Sequence, residues 1–285
     1  MVLSMTGFGR SESTFQGKKI VVEIKSLNSK SLDLNTKVPI RYKEREFEIR
    51  KILGDKIVRG KVDCYINIET IEDNHDVKIN KELVAAYIQE LKSISADGPD
   101  FEYLKMAIRF PEAISTKPDE LKEEEWEFLL NLIEESLNKF IDFRKTEGAT
   151  LHLELAKNIE NIDNALQEII PYEQIRLESV KERYKKTLNE FDNIDETRFY
   201  QELAYYTEKL DISEEKVRLS QHLSYYTDVL STEDFCGKKL GFIAQEIGRE
   251  INTLGSKANH AAIQKLVVMM KDELEKIKEQ TLNIL

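Results

Sequence analysis

The chain has 285 residues, 41% of them hydrophobic and 33% charged, and a formal net charge of -11, enough length to bury a substantial core as one large domain or two ordinary ones. No stretch approaches the roughly 18 apolar residues of a membrane span, and the start, MVLSMTGFGR, lacks the basic and apolar regions of a secretory leader. Two distant cysteines, Cys64 and Cys236, show neither metal-ligand nor redox spacing, so a soluble cytoplasmic protein is expected, not a membrane-embedded or disulfide-built one.

Charge is unevenly placed along the chain. Residues 1–60 carry thirteen Lys and Arg against seven Asp and Glu, and the remainder is strongly acidic. Screening confines each charge to roughly 8 Å at cellular salt, so a basic N-terminal segment can form a local phosphate-binding surface on an acidic protein.

In TGFGR (6–10) the two glycines read as a strand bulge or turn, with Arg10 placed after them to hold a phosphate. Ile20, Val22 and Ile24 alternate with polar or β-branched partners, as do Val62, Cys64, Ile66 and Ile68, which predicts half-buried antiparallel strands. Between them residues 42–58 have helical spacing, with Phe47, Ile52, Leu53 and Ile57 as the apolar positions. Helices follow from Asn80, with a loop at 95–100 and breaks near Pro111 and Pro118. Residues 121–191 suggest a helical arm or coiled-coil-like hairpin, broken at TEGAT (146–150) and Pro171. A last amphipathic helix runs from about Asn259, with Leu266, Met269, Met270, Leu274 and Ile277 spaced for packing. The expected fold is α+β: an N-terminal antiparallel-sheet and helix domain over 1–155, then a mostly helical C-terminal domain with long helical arms over 156–285.

Two segments concentrate polar chemistry. In QEIGREINTLGSK (245–257) Glu246, Glu250, Thr253 and Lys257 share one helical stripe with Arg249, Asn252 and Ser256 beside it, opposite Ile243, Ile247, Ile251, Leu254 and Ala258. Intrahelical pairing of Glu246 with Arg249 is the plain reading; Asn252, a poor helix former, suits a ligand or phosphate contact. Gly241, Gly248 and Gly255 recur every seven residues, so a neighbouring helix or a nucleic-acid backbone must come close. In LDISEEKVRLSQHL (210–223) Glu214, Arg218 and His222 form a ladder, while Asp211 and Glu214 have capping-box spacing. His222 is the residue best suited to pass protons near neutral pH, although a lone helical histidine is more often ordinary surface. Phosphate-loop, dinucleotide-binding, zincin and nucleophile-elbow motifs are absent.

Taken together, SMTGFGR (4–10), EIKSLNSKSLD (23–33), RGKVD (59–63), RKTEG (144–148), the two segments above and EKIKEQTLNI (275–284) resemble the YicC/YloC family of bacterial endoribonucleases, in order and spacing over nearly the whole chain. The resemblance implies an N-terminal α+β domain before a helical one, a homohexamer that closes around RNA, and cleavage dependent on a divalent cation, Mg²⁺ or Mn²⁺. Carried onto this sequence, it implies that Glu246 and Glu250 hold metal, with Asp211 or Glu215 completing the shell. It likewise implies that Arg249 and Lys257 bind the scissile phosphate, that His222 gives a proton to the leaving oxygen, and that Arg10, Lys25, Asn28, Lys30, Arg59, Lys61 and Asn252 bind RNA. Gly248 departs from the family, which usually has Asn before the Arg-Glu pair; either a polar contact is lost or the helix packs more closely. Within the enzyme class, a metal-free route would use His222 and Lys257 to promote attack by the RNA's own 2'-hydroxyl. The rival classes are a non-catalytic RNA-binding ring that delivers RNA to another nuclease or other RNA-decay proteins, and a helical assembly protein whose polar stripes are subunit contacts.

Overall fold

A computed structural model of the chain describes residues 2–70, 78–95, 98–115, 121–188 and 196–285. The N-terminal layer is a four-stranded sheet of β1 (Gly7–Phe15), β2 (Lys18–Leu27), β3 (Leu32–Lys37) and β4 (Gly60–Thr70), in spatial order β1-β2-β4-β3. β1 and β2 join through Gln16 and Gly17, both at positive φ, which matches the twist of a two-residue hairpin. β2 pairs antiparallel with β1 and β4, in a register that sets Ile20, Val22 and Ile24 opposite Ile68, Ile66 and Cys64. β3 instead runs parallel to β4, so the sheet is mixed where antiparallel pairing throughout was expected. Parallel neighbours need a crossover, here a 3₁₀ turn (Ile40–Arg45) and helix α1 (Glu46–Lys56).

The face of α1 differs in part from the expected one: Ile49, Leu53 and Ile57 are buried, while Phe47 is 78% exposed. Beyond the sheet lie β5 (Lys78–Ile79), α2 (Lys81–Ile94), α3 (Asp100–Ala107) and β6 (Ile114–Ser115), a small unit with its own core of Val84, Ala107 and Ala113. Part of the expected 95–100 loop, the break at Pro118 and Phe191 fall outside the described residues.

Helix α4 (Glu123–Leu188) runs for 66 residues without interruption, about 100 Å at 1.5 Å per residue. The breaks expected at TEGAT and Pro171 do not occur. Proline removes one backbone bond inside a helix, and the buried stripe Leu151, Leu155, Ile159, Ile162, Leu166 and Ile169 outweighs that loss. At Gly148 an added Cβ would collide with the carbonyl of Val2, so this glycine marks where the N-terminal segment crosses the helix. The first part of α4 covers one sheet face with Trp126, Leu129, Ile133, Leu137 and Phe140. Gly7 and Gly9 lie in the regular β1 register, not in a bulge; at Gly9 a Cβ would strike the Ser136 carbonyl, so glycine lets α4 lie directly on the strand.

The second part of α4 shares a separate core with α6 (Ser213–Thr232), α7 (Gly237–Lys257) and α8 (Ala261–Thr281), after the short α5 (Glu196–Lys209). Leu266, Met270, Leu274 and Ile277 of α8 enter that core as expected, whereas Met269 is exposed. Both cysteines are buried and unpaired, and burial pushes the Cys64 thiol up to about 12. Among the described residues, no helix is long and apolar enough to cross a membrane.

Candidate functional site

The packing of α7 fixes what it can present. Ile243, Ile247, Ile251, Leu254 and Ala258 are all buried, as the period of the sequence requires. A Cβ on Gly248 would lie 3.1 Å from Leu274, and one on Gly255 would lie 2.9 Å from Val267, both on α8, while Gly241 meets nothing within 4 Å. A neighbouring helix therefore explains two of the three glycines. Position 248 faces α8, so a side chain there would pack against that helix and not reach the polar stripe.

That stripe stays accessible. Arg249 bonds Glu246 at 2.7 Å, and Asn252 is exposed. Glu250 is half-buried and makes no hydrogen bond or ion pair with any described residue.

Just before α6, Asp211 accepts from the amide of Ser213 at 3.0 Å and from its hydroxyl at 2.7 Å. The Ser213 hydroxyl, its amide and, more weakly, the charge of Lys257 hold the Asp211 carboxyl below the usual range. Glu214 pairs with Arg218 and takes no part in a capping box. Glu215 is buried, 4% exposed, and receives Lys257 Nζ at 2.7 Å, while its other carboxylate oxygen has no partner.

The Glu215–Lys257 pair serves as a ruler for the two helices. They are antiparallel, joined by the short turn before Gly237. His222 lies seven positions after Glu215, and Glu250 seven positions before Lys257. Seven residues are close to two full turns, so each sits on the stripe that carries its half of the pair. Half-buried His222 and half-buried Glu250 therefore stand at the same level of the α6/α7 groove, about 10 Å from the pair. Glu246 lies about one turn further along, and Arg249 directly precedes Glu250.

Two cations that no sequence pattern marked close the far end. Arg176 of α4, 3% exposed, donates to the carbonyls of Leu210 at 2.7 Å and Lys257 at 3.2 Å. Lys216 pairs with Glu173. These contacts tie α4 to the start of α6 and the end of α7.

The expected metal set is not gathered in one place. Among the described residues, no three His, Cys, Asp or Glu side chains converge as a ligand group. Asp211 is committed to Ser213 and Glu215 to Lys257, and the same pair engages the ammonium of Lys257 that was expected on the phosphate. Glu246 and Glu250 remain, a turn apart on an accessible stripe. Carboxylates so placed fit a Mg²⁺-like ion, which uses one or two carboxylates and keeps several waters.

The basic candidates divide by partner. Arg10 pairs with Glu12 at 3.0 Å and Lys25 with Glu23 at 2.6 Å; both border a shallow depression of about 400 Å³ on the uncovered sheet face, shared with Tyr65, Asn67, Asp63 and Glu69. Asn28 donates to the Leu282 carbonyl and Arg59 to that of Ser29, which gives both a structural task. Lys30 and Lys61 are exposed and pair with no described residue.

These N-terminal candidates surround a junction the sequence did not announce. Buried Arg144 donates to the Met5 carbonyl at 2.9 Å, the Ser26 hydroxyl at 3.0 Å and the Arg59 carbonyl at 3.1 Å. Burial pushes its guanidinium down to about 10, which leaves it charged at neutral pH. Thr6 donates to Glu147, and Ser4 bridges to Ile284 near the C-terminus. Arg144 and Arg176 are separated by 32 positions of one helix, about 48 Å. Within one chain α7 spans part of this interval: Gly237 at its start donates to the Leu285 carbonyl beside Leu3, and the Lys257 carbonyl at its end accepts from Arg176, so the Glu250 level lies about 20 Å along α7 from that junction.

The N-terminal region of the endoribonuclease YicC-like family matches residues 2–153, and its C-terminal region matches residues 149–285. A Clostridioides difficile (strain 630) protein named probable endoribonuclease YicC is 34% identical over 296 aligned positions, covering 100% of both chains. A Haemophilus influenzae protein of the same name is 30% identical over 287 positions, again covering 100% of both. With both regions matched in order over almost its full length, the chain belongs to the YicC-like endoribonuclease family.

Proposed function

We propose that this protein cuts RNA internally, with the α6/α7 groove as its cleavage site and the N-terminal basic residues as a separate surface that positions the strand. The observation that supports the groove most is Glu250: a half-buried carboxylate without a partner among the described residues, level with His222 across a packed helix pair. Such a group, held by a rigid apolar face beneath it, is pre-organised for work that its own protein does not occupy.

Glu246 and Glu250 would hold a divalent cation with water completing its shell; when bound, it supplies charge neutralisation at the phosphodiester and a more acidic water. Hydrolysis joins the water oxygen to phosphorus and breaks the bond to a ribose oxygen, which then needs a proton. The imidazole of His222 gives that proton. Arg249, 73% exposed and tethered only to Glu246, is free to turn toward the phosphate where charge develops. The metal-free route with Lys257 has less support, because the ammonium of Lys257 is engaged by Glu215. A homohexamer around RNA would let the basic surfaces of several subunits hold the strand that each groove cuts.

The test is incubation of purified protein with end-labelled RNA, with Mg²⁺, Mn²⁺ or chelator, and identification of the product ends. Internal cuts that need the cation support the reading. Binding without cutting under every condition overturns it in favour of an RNA-delivering ring, and chelator-resistant cuts with cyclic phosphate ends overturn the metal-dependent route.

A further inference from the structure

Near the Arg176 clamp is a small cavity of about 200 Å³ between Arg176, Ser179, Arg183, Leu210, Asn259 and His260. Among the described residues its lining includes two arginines, an imidazole, a hydroxyl and an amide, and no acidic side chain. Of the carboxylates near this region, Glu173 pairs with Lys216, Glu215 with Lys257, and Asp211 accepts from Ser213, while the charges of Glu173 and Asp211 also act on Arg176. The volume is below the roughly 300 Å³ of sites that take a drug-sized molecule, so it suits one small group.

Two buried nitrogens on its walls lack acceptors or donors. Arg176 is 3% exposed, and although its terminal nitrogens are satisfied by carbonyls, its Nε has no partner among the described residues; neither has Nδ1 of His260. An unsatisfied buried polar group costs about 1–3 kcal/mol, and more if charged, so a native fold keeps two together only where something else meets them. The His260 ring is held by Tyr172 at 5.5 Å between centroids, and its loop is fixed by Gln264, which donates to the Gly255 and Ala258 carbonyls. The donors are thus set in place before any ligand arrives.

We propose that this cavity is an anion pocket that takes one phosphate of the RNA strand whose scissile bond lies in the α6/α7 groove. The proposal rests on the reading of that groove as the cleavage site and adds a second fixed point on the strand. The pocket borders the end of α7, and the Glu215–Lys257 pair that closes this end lies about 10 Å from the His222 and Glu250 level. A short length of RNA backbone can reach both. A phosphate offers several acceptor oxygens for the guanidinium and the imidazole, and charge-assisted bonds from a guanidinium are the strong kind.

The test compares the full chain with R183Q, which removes a charge at the exposed rim, and H260F, which keeps a ring beside Tyr172 but removes both nitrogens. Binding of a short single-stranded RNA is followed by fluorescence anisotropy in chelator across a salt series, and Tm is followed against inorganic phosphate. The expected result is RNA binding about tenfold weaker at low salt in each variant, with the salt slope of R183Q lower by about 1. Unchanged RNA binding with loss of a phosphate-dependent rise in Tm would assign the pocket to a free anion and overturn the RNA assignment. Unchanged RNA binding with no response to phosphate in any form would overturn the pocket altogether. Cutting is scored separately on the unaltered chain: RNA that is held through Arg183 and His260 yet never cut would contradict the cleavage reading and leave the pocket standing.

Discussion

Lys257, in the last turn of α7, reaches Glu215, in the first turn of α6, at 2.7 Å, and from this contact two turns along each helix lead to His222 and Glu250 at one level. Glu215 is nearly fully buried while Lys257 is about a third exposed. Removing one partner of a buried pair leaves the other charge uncompensated, typically at about 3–5 kcal/mol, less where one end is partly solvated. K257M is therefore expected to lose about 2–3 kcal/mol in urea unfolding, and the E215L/K257M double variant should recover most of it. A K257M loss under about 0.5 kcal/mol, within the range of an ordinary surface substitution, would mean the pair does not hold the helices.

The glycines separate two physical causes. At Gly9 a Cβ would strike the Ser136 backbone carbonyl, whereas at Gly241 it would meet open space. G9A should cost about 3 kcal/mol, since a helix backbone cannot yield as a side chain can. G241A should gain up to about 1 kcal/mol, the helix propensity difference. Equal unfolding midpoints for the two variants would contradict the packing of α4 on β1.

Asp211 gives a pH dependence with a definite sign. Its carboxyl is held below the usual value, chiefly by the Ser213 hydroxyl. The unfolded chain thus takes up a proton before the folded one does, so the contribution of Asp211 is complete above the unfolded value, about 3.9, and is lost as pH falls through the lower folded value. D211A should be about 1 kcal/mol less stable at pH 7, and the gap should narrow below about pH 4. A constant gap across that range would rule out the ionised form as the one that holds Ser213 at the start of α6.

Lys30 and Lys61 should contribute more to RNA than Arg10 and Lys25, because the latter are already paired with Glu12 and Glu23. K30Q and K61Q are each expected to lower the slope of log affinity against log salt by about 1, and R10Q and K25Q by less. The reverse order in a salt titration would place the strand on the sheet face and not at its β2–β3 and β4 edge.

Periodic features were legible in the sequence. The alternation of Ile20, Val22 and Ile24 gave a strand, and the isoleucines of α7 gave its buried face, because each pattern repeats within one element. Features that depend on a second element were not. Gly148 reads locally as a break, yet it stands where residue 2 crosses an unbroken helix. Phe47 is apolar but on the outer side of α1, a matter of where the sheet lies. Glu215 and Lys257 are 42 positions apart, so no spacing rule could pair them and withdraw both from the expected metal and phosphate roles. No local pattern marks Arg144 and Arg176 as buried; contacts with backbone carbonyls of distant elements make them clamps.

The central claim is that Glu250 acts in cleavage from an otherwise stable helix face. Single-turnover cleavage of labelled RNA by E250Q, alongside its Tm and its RNA affinity, tests this most directly. The account expects the folded variant to bind RNA and to cut it at least about a hundredfold more slowly, the scale of losing one group that stabilises developing charge. An E250Q protein that cuts at the rate of the unaltered chain would contradict it.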